Sequence, residues 1–432
     1  MRIKSSLLIG IAALSLTVGA EAAPTYIHAG RLMAVPGQQV RGPSTIIVEG
    51  ERIVAVRDGL VPPPPGATLI DLGDKFVLPG LIDSHVHLAS DRGGEAGLLS
   101  FVREEPQMNA LEAQMNGMKT LRAGFTTVRN LGDDGATLAL REAIKRGWVQ
   151  GPRIIDAASS ISTTGGHMDG RGGLNDDLVA HLPSPENLCD GVDSCRKVVR
   201  RQIDRGADVI KFATTGGVNS GTGLATRMNE DEARALVETA HAYGRKVAVH
   251  AHGADGIKLA LRAGADSIEH GTVMDDEILR MMKKQGTYYV PTLSTVNGYL
   301  ERLAANPNAY APDVKKQIDW RIGITGQSLL KAAPTGVKIA FGTDAGVSKH
   351  GRNADEFELM VKYGMTPVQA IKAATVNAAD LLGLAGEVGT IEAGKSADII
   401  AVAGDPLADV RVLKSVGFVM ARGAVVAPLP AK

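Results

Sequence analysis

Five histidines, one lysine and one aspartate stand where strand geometry would let them meet. His85 and His87 end the stretch VLPGLIDSHVHL, His250 and His252 lie in KVAVHAHG, and His270 ends DSIEH; Lys211 is in ADVIKFATTGG and Asp344 in FGTDAG. Neutral imidazole and ionised carboxylate are ordinary ligands of zinc and related divalent cations. In an extended strand residues i and i+2 point to one side, so His85 and His87 can face one ion while Val86 points away. His250 and His252 share a side if their strand continues, and only one of them need be a ligand. One histidine at a strand end is usually a satisfied structural residue, but five explained by packing alone would need five buried partners.

Asp344 alone suits a turn, since Thr-Asp-Ala-Gly is turn-like; beside a metal it can both coordinate and carry protons. Lys211 is harder to place, because a charged lysine close to cations is electrostatically disfavoured. Burial and repulsion lower its pKa, and a neutral amine can react with carbon dioxide to give a carbamate, an anion able to bridge two metals. The plain alternative is an ion pair with Asp208.

The elements that must position these residues are legible on either side of them. Residues 24 to 76 alternate in short apolar runs (STIIVEG, RIVAVRDG, TLIDLGD), and the C-terminus does the same in VGFVMARGAVV. Neither end offers enough strands to cover a core, so residues 23–78 and 385–432 are expected to form one composite β-sandwich. Between them, over 79–384, apolar strands alternate with helical stretches such as NEDEARALVETAHAYG, with its Asn cap, acidic first turn and closing Gly. Strand ends fall near His87, Arg129, Ala157, Phe212, His250, His270, Thr292 and Asp344. The expected fold class is α/β: a (β/α)8 TIM barrel with a small β-sandwich built from both chain ends, and an active site at the carboxyl ends of the strands. The long polar loops 162–195 and 213–228 belong on that face.

Composition narrows the partners. Lys plus Arg and Asp plus Glu both number 47, which removes the electrostatic case for nucleic acid or an anionic membrane and favours a small substrate. Arg2 and Lys4 precede the apolar run LLIGIAALSLTVGA and small residues follow, so 1–22 reads as a signal peptide and the mature protein as periplasmic or secreted, without a membrane span. In that setting Cys189 and Cys195 can form a disulfide or remain thiols, and their spacing is no zinc motif. The glycines of TTGGVNSGTG do not have P-loop spacing.

GLIDSHVH, a lysine on the fourth strand, histidines on the fifth and sixth, and GTDAG on the eighth together resemble the metal-dependent amidohydrolase superfamily, over nearly the whole mature chain. KVAVHAHG, GADSIEHGT and TTGGHMDG are similar to its prolidase-like and Xaa-Arg or Xaa-Lys dipeptidase group, which includes ochratoxin-hydrolysing amidohydrolases. The resemblance implies that His85, His87 and Asp344 bind one zinc, His250 and His270 a second, and an N6-carboxylated Lys211 bridges the two. It also implies a homo-oligomer, an octamer being one form.

The expected reaction is cleavage of the amide bond of dipeptides or N-acyl amino acids, ochratoxin-type amides among them, by attack of a hydroxide bridging the metals. Asp344 would move the proton to the leaving nitrogen, and His167 and His252 would donate hydrogen bonds to the oxyanion, each worth about 3 kcal/mol. Arg227 and Tyr289 are the candidates for gripping a substrate carboxylate; otherwise they are a surface arginine and a packed tyrosine. An imidazolonepropionase-like ring hydrolase or a mononuclear deaminase is the competing enzyme, but HAHGAD lacks the catalytic Glu and Lys211 would have no purpose. An exported binding protein without catalysis should lack a ligand, whereas all six ligand positions are filled.

Overall fold

The computed structural model describes residues 23–92, 97, 100, 103–182, 185–219 and 222–427; the expected signal peptide, 1–22, lies outside them. The chain begins with β1 (Thr25–Leu32), β2 (Ser44–Glu49), β3 (Arg52–Asp58) and β4 (Thr68–Pro79). β1 pairs antiparallel with β2 and parallel with β4, and β2 continues to β3.

It then enters seven parallel strands separated by helices. β5 (Leu81–Val86), β6 (Phe125–Asn130) and β7 (Arg153–Asp156) form one sheet. β8 (Val209–Ala213), β9 (Lys246–Ala251), β10 (Ser267–His270) and β11 (Tyr288–Val290) form another. The strands are buried almost throughout, as a parallel sheet covered by helices requires. The helix Glu230–Ala242 starts at the expected Asn229, in a capping box with Glu232.

Among the described residues the expected closed eight-stranded ladder does not form. The segment expected as the eighth strand is held by single parallel bridges, Ile339 to Tyr289 and Ala345 to Val86, and the two sheets meet on the other side through the bridge Ile161–Phe212. The physical reason is backbone geometry at the seams: Ala158 (φ 56°) and Asp344 (φ 55°) leave the extended region. At the Asp344 seam side chains replace the ladder. Asp83 accepts from the Thr343 N–H and hydroxyl (3.1 and 2.6 Å) and from the Asn353 amide (2.8 Å).

The chain finally returns to its starting sheet as β12 (Ile399–Val402), β13 (Val416–Ala421) and β14 (Ala424–Val425), with order β14-β13-β12-β4-β1-β2-β3. Both chain ends thus share one layer, but as a single seven-stranded sheet rather than the expected sandwich of two. β4 is the cause: it pairs with β1 along Thr68–Val77 and with β12 along Phe76–Pro79, so one strand serves both halves. On the edge strand β3, Ile53 donates to the Lys395 carbonyl and accepts from the Gly394 N–H, just ahead of β12, and the sheet buries Ile27, Ile46, Val77, Ile399 and Met420. Among the described residues no helix is long and apolar enough to cross a membrane.

Candidate metal centre and substrate cavity

A cavity of about 190 Å³ opens at the carboxyl ends of the parallel strands, and His85, His87, His167, Lys211, His250, His252, His270 and Asp344 all line it. The donor atoms fall into two groups, His85/His87/Asp344 and His250/His252/His270, each spanning no more than 4.8 Å. The groups adjoin, with the His85 and His270 rings 5.1 Å apart.

Each ring is aimed by its far nitrogen. His85 Nδ1 lies 2.9 Å from Glu269 Oε2, while the other Glu269 oxygen accepts from Arg129 (2.8 Å) and from the Ser267 hydroxyl (2.5 Å). His87 Nδ1–H donates to the Gly132 carbonyl (3.0 Å) and His250 Nε2–H to that of Gly216 (3.2 Å). His270 and His252 bond through Nδ1 to the hydroxyls of Thr292 and Thr272, both at 2.7 Å. The carboxylate and carbonyl partners keep a proton on the far nitrogens of His85, His87 and His250 and leave a lone pair toward the cavity, the usual arrangement behind a metal-ligating histidine, whereas a threonine hydroxyl can donate to or accept from His270 and His252.

Burial sets the charge states. Desolvation, then the neighbouring Lys211, lowers His85 to about 4, and the same two causes lower His167 to about 4. His250, His252 and His270 are also pushed well below the ordinary histidine range, chiefly by burial. Burial opposes ionisation of Asp344, yet His85, His87 and Lys211 outweigh it and hold its carboxyl at about 2. Lys211, 1% exposed, is lowered to about 8 by burial, and its Nζ has no hydrogen-bond partner.

These features decide whether a metal fits. His85 Nε2 and His87 Nε2 lie 3.5 and 3.3 Å from Asp344 Oδ1, two imidazole nitrogens and a carboxylate oxygen converging on one point. The second group likewise gathers three buried imidazoles. Such sets are stable only around a positive centre, and nitrogen with carboxylate is a donor set for zinc-like cations.

Of the other expected residues, His167 stacks on His250 (ring centroids 4.2 Å), and its Nδ1 has no partner. Its ring fits because residue 217 is glycine: a Cβ there would lie 2.1 Å from His167 Cε1. Arg227 and Tyr289 are not brought to the cavity. Arg227 is exposed and donates to the Thr222 carbonyl of its own loop, and Tyr289, 1% exposed, packs in the apolar core against Gly271. Cavity positions expected of them are taken by Arg321 and Tyr299, from the helices Pro312–Gly323 and Thr295–Ala305. Sequence spacing gave one overlooked hint: Arg321 stands three residues after Ile318, on the buried stripe of its helix. Glu269 gave another, as a carboxylate between Ile268 and the candidate ligand His270.

A second cavity, of about 720 Å³, meets the first at His87 and Met168 and is walled in part by Leu182, Pro185 and Asn187. The Cys189–Cys195 disulfide is formed, pinning this loop to the helix Val192–Arg205.

A sequence profile described as Amidohydrolase family matches residues 76–426. Ochratoxinase of Aspergillus niger is 31% identical over 412 residues, covering 91% of this chain and 84% of that protein. Among solved structures, a Xaa-Pro dipeptidase with methionine bound in its active site superimposes with a TM-score of 0.88 at 40% identity, over 93% of this chain and 99% of that one. A prolidase complexed with N-methylphosphonate-L-proline gives 0.84 at 32% identity, over the same shares.

Proposed function

This chain belongs to the amidohydrolase family and is a hydrolase of amide or peptide carbon–nitrogen bonds; on that premise we propose that it cleaves dipeptides or N-acyl amino acids with two divalent cations, zinc in the first instance. The carrying observation is Lys211 Nζ, buried without a hydrogen-bond partner among the described residues, in a cavity lined by six imidazoles and Asp344. An amine lowered to about 8 is partly neutral near physiological pH; it adds to carbon dioxide with loss of one proton, and the resulting carbamate offers two oxygens. His85, His87 and Asp344 would hold one cation, His250 and His270 the other, and carboxylated Lys211 both. Such cations, when bound, acidify water and polarise the scissile carbonyl.

The chain's own residues do the rest. Asp344, ionised and facing both groups, takes the proton of the attacking water at a carboxylate oxygen and returns it to the nitrogen as the carbon–nitrogen bond breaks. His252, through the ring nitrogen that Thr272 leaves free, and His167, stacked on His250, would donate to the developing oxyanion. The larger cavity beyond His87 suits the acyl part, and the names of the relatives, an ochratoxinase and dipeptidases, are consistent with a bulky acyl group or an amino acid there. Export is proposed from the basic-apolar-small N-terminus and is supported by the buried disulfide.

The test is a screen of dipeptides and N-acyl amino acids, scored by amine release, beside metal analysis and mass spectrometry of the Lys211 peptide under native conditions. Release of a terminal amino acid, two metals per chain and loss of turnover on chelation are expected. A single tightly bound metal with unmodified Lys211 sinks the two-metal reading, and absence of amine release sinks the substrate class.

A further inference from the structure

Arg321 is a cation lining the cavity without a counter-ion among the described residues. It is 3% exposed; its guanidinium donates to the Thr325 hydroxyl (3.1 Å) and weakly to the Thr292 carbonyl (3.5 Å), and no carboxylate pairs with it among the described residues. A buried guanidinium left without an anion is strongly disfavoured, so the site is built around one that arrives with the ligand. Tyr299, 4% exposed, lines the same wall; burial first, and then Asp344, push its phenol above the ordinary range, so it stays a protonated donor.

Position gives that anion a direction. Thr292 bonds Arg321 through its carbonyl and His270 through its hydroxyl, which puts the guanidinium beside the second histidine group. The larger cavity joins instead at His87, of the first group. A substrate spanning both runs from an acyl portion beyond His87 to an anion at Arg321, with the scissile bond between them.

We propose that Arg321, assisted by the Tyr299 hydroxyl, binds the α-carboxylate of the departing amino acid, so that the protein cuts only amides whose nitrogen belongs to a terminal residue. This rests on the amide-hydrolase reading above and adds to it which end of the substrate is recognised, and by what. A planar guanidinium takes a carboxylate through two parallel N–H bonds, which a carboxamide, with one oxygen and an NH2, cannot reproduce.

The experiment compares one N-acyl amino acid from the screen with the same compound as its C-terminal carboxamide, on metal-loaded wild type, Arg321→Met and Arg321→Lys, with metal content and Tm measured on each. Wild type should favour the acid by about 100-fold or more in kcat/KM, since a site made for a charged partner is left unpaired by the amide. In Arg321→Met that ratio should collapse to within a few-fold, mainly through KM on the acid, with Arg321→Lys in between. Equal use of acid and amide by wild type, or an Arg321→Met variant that slows both and keeps the ratio, overturns the proposal while leaving amide hydrolysis standing. If wild type cleaves neither compound, the hydrolytic reading fails instead. Calorimetric binding of the free amino acid then decides the carboxylate site: loss in Arg321→Met supports it, and unchanged binding overturns it.

Discussion

Asp344 sits at φ 55°, a conformation aspartate tolerates better than most residues, and this turns its carboxylate back toward His85 and His87. Three further non-glycine residues with positive φ, Ala158, His270 and Thr292, also stand where parallel strands end, so backbone strain gathers at the cavity. Replacing Asp344 by Asn keeps the shape and one oxygen but removes the proton acceptor. Turnover should fall by about 1000-fold or more while bound metal persists on the histidines, as steady-state rates and metal analysis on one preparation would show. At this scale the histidine pairs were legible, because strand alternation alone places i and i+2 on one side. Arg321 was marked only by its spacing from Ile318, which a solvated arginine can share, and the loop-borne Arg227 looked the more available cation.

Elements hold these residues through buried polar ties that cross from one sheet to the other. The Arg129–Glu269 pair joins β6 to β10 directly behind His85, with both side chains 2% exposed or less. Arg129→Met would strand a buried carboxylate and should destabilise the fold by about 3–5 kcal/mol in urea titration; Glu269 would also aim His85 less firmly, visible as weaker retention of metal. The disulfide is milder. Cys189→Ala/Cys195→Ala frees a short loop, a loss of about 2 kcal/mol on chain-entropy grounds, and should speed proteolysis within 163–187 more than it lowers Tm. The first seven parallel strands could be placed from apolar runs and helix caps. The eighth could not, since Asp83, Thr343 and Asn353 replace its ladder with side-chain bonds that no periodicity announces.

For the whole molecule, pH enters through a group that is not itself a metal donor. Glu356 is fully buried, accepts the Leu293 and Ser294 N–H groups, and is nonetheless raised to about 7, by burial first. Its unfolded value is about 4.5, so between that pH and about 7 the folded state binds the extra proton. The contribution of Glu356 to stability should therefore fall as pH rises through this window, by up to about 3 kcal/mol, opposite in sign to that of the buried histidines, whose folded values lie below the ordinary one. In denaturant titrations from about pH 4.5 to 7.5 the stability of wild type relative to Glu356→Gln should decline as pH rises; a difference that does not change with pH removes Glu356 as a cause. That both chain ends share a layer was readable from their matching strand style. That they make one sheet was not, because only the pairing shows β4 serving two neighbours.

Gly80, between β4 and β5, donates its N–H to the Asp398 carbonyl (2.8 Å), so the strand that leads into His85 is anchored to residues near the chain's end. Seen in time rather than space, this dates the site. While the chain is being made, β4 keeps an open edge and His85 lacks its anchor until β12 has emerged, although every proposed metal ligand has been synthesised earlier. Assembly of the metal centre therefore waits for β12, and a chain ending before Ile399 should carry all the ligands and still fail to hold them in place.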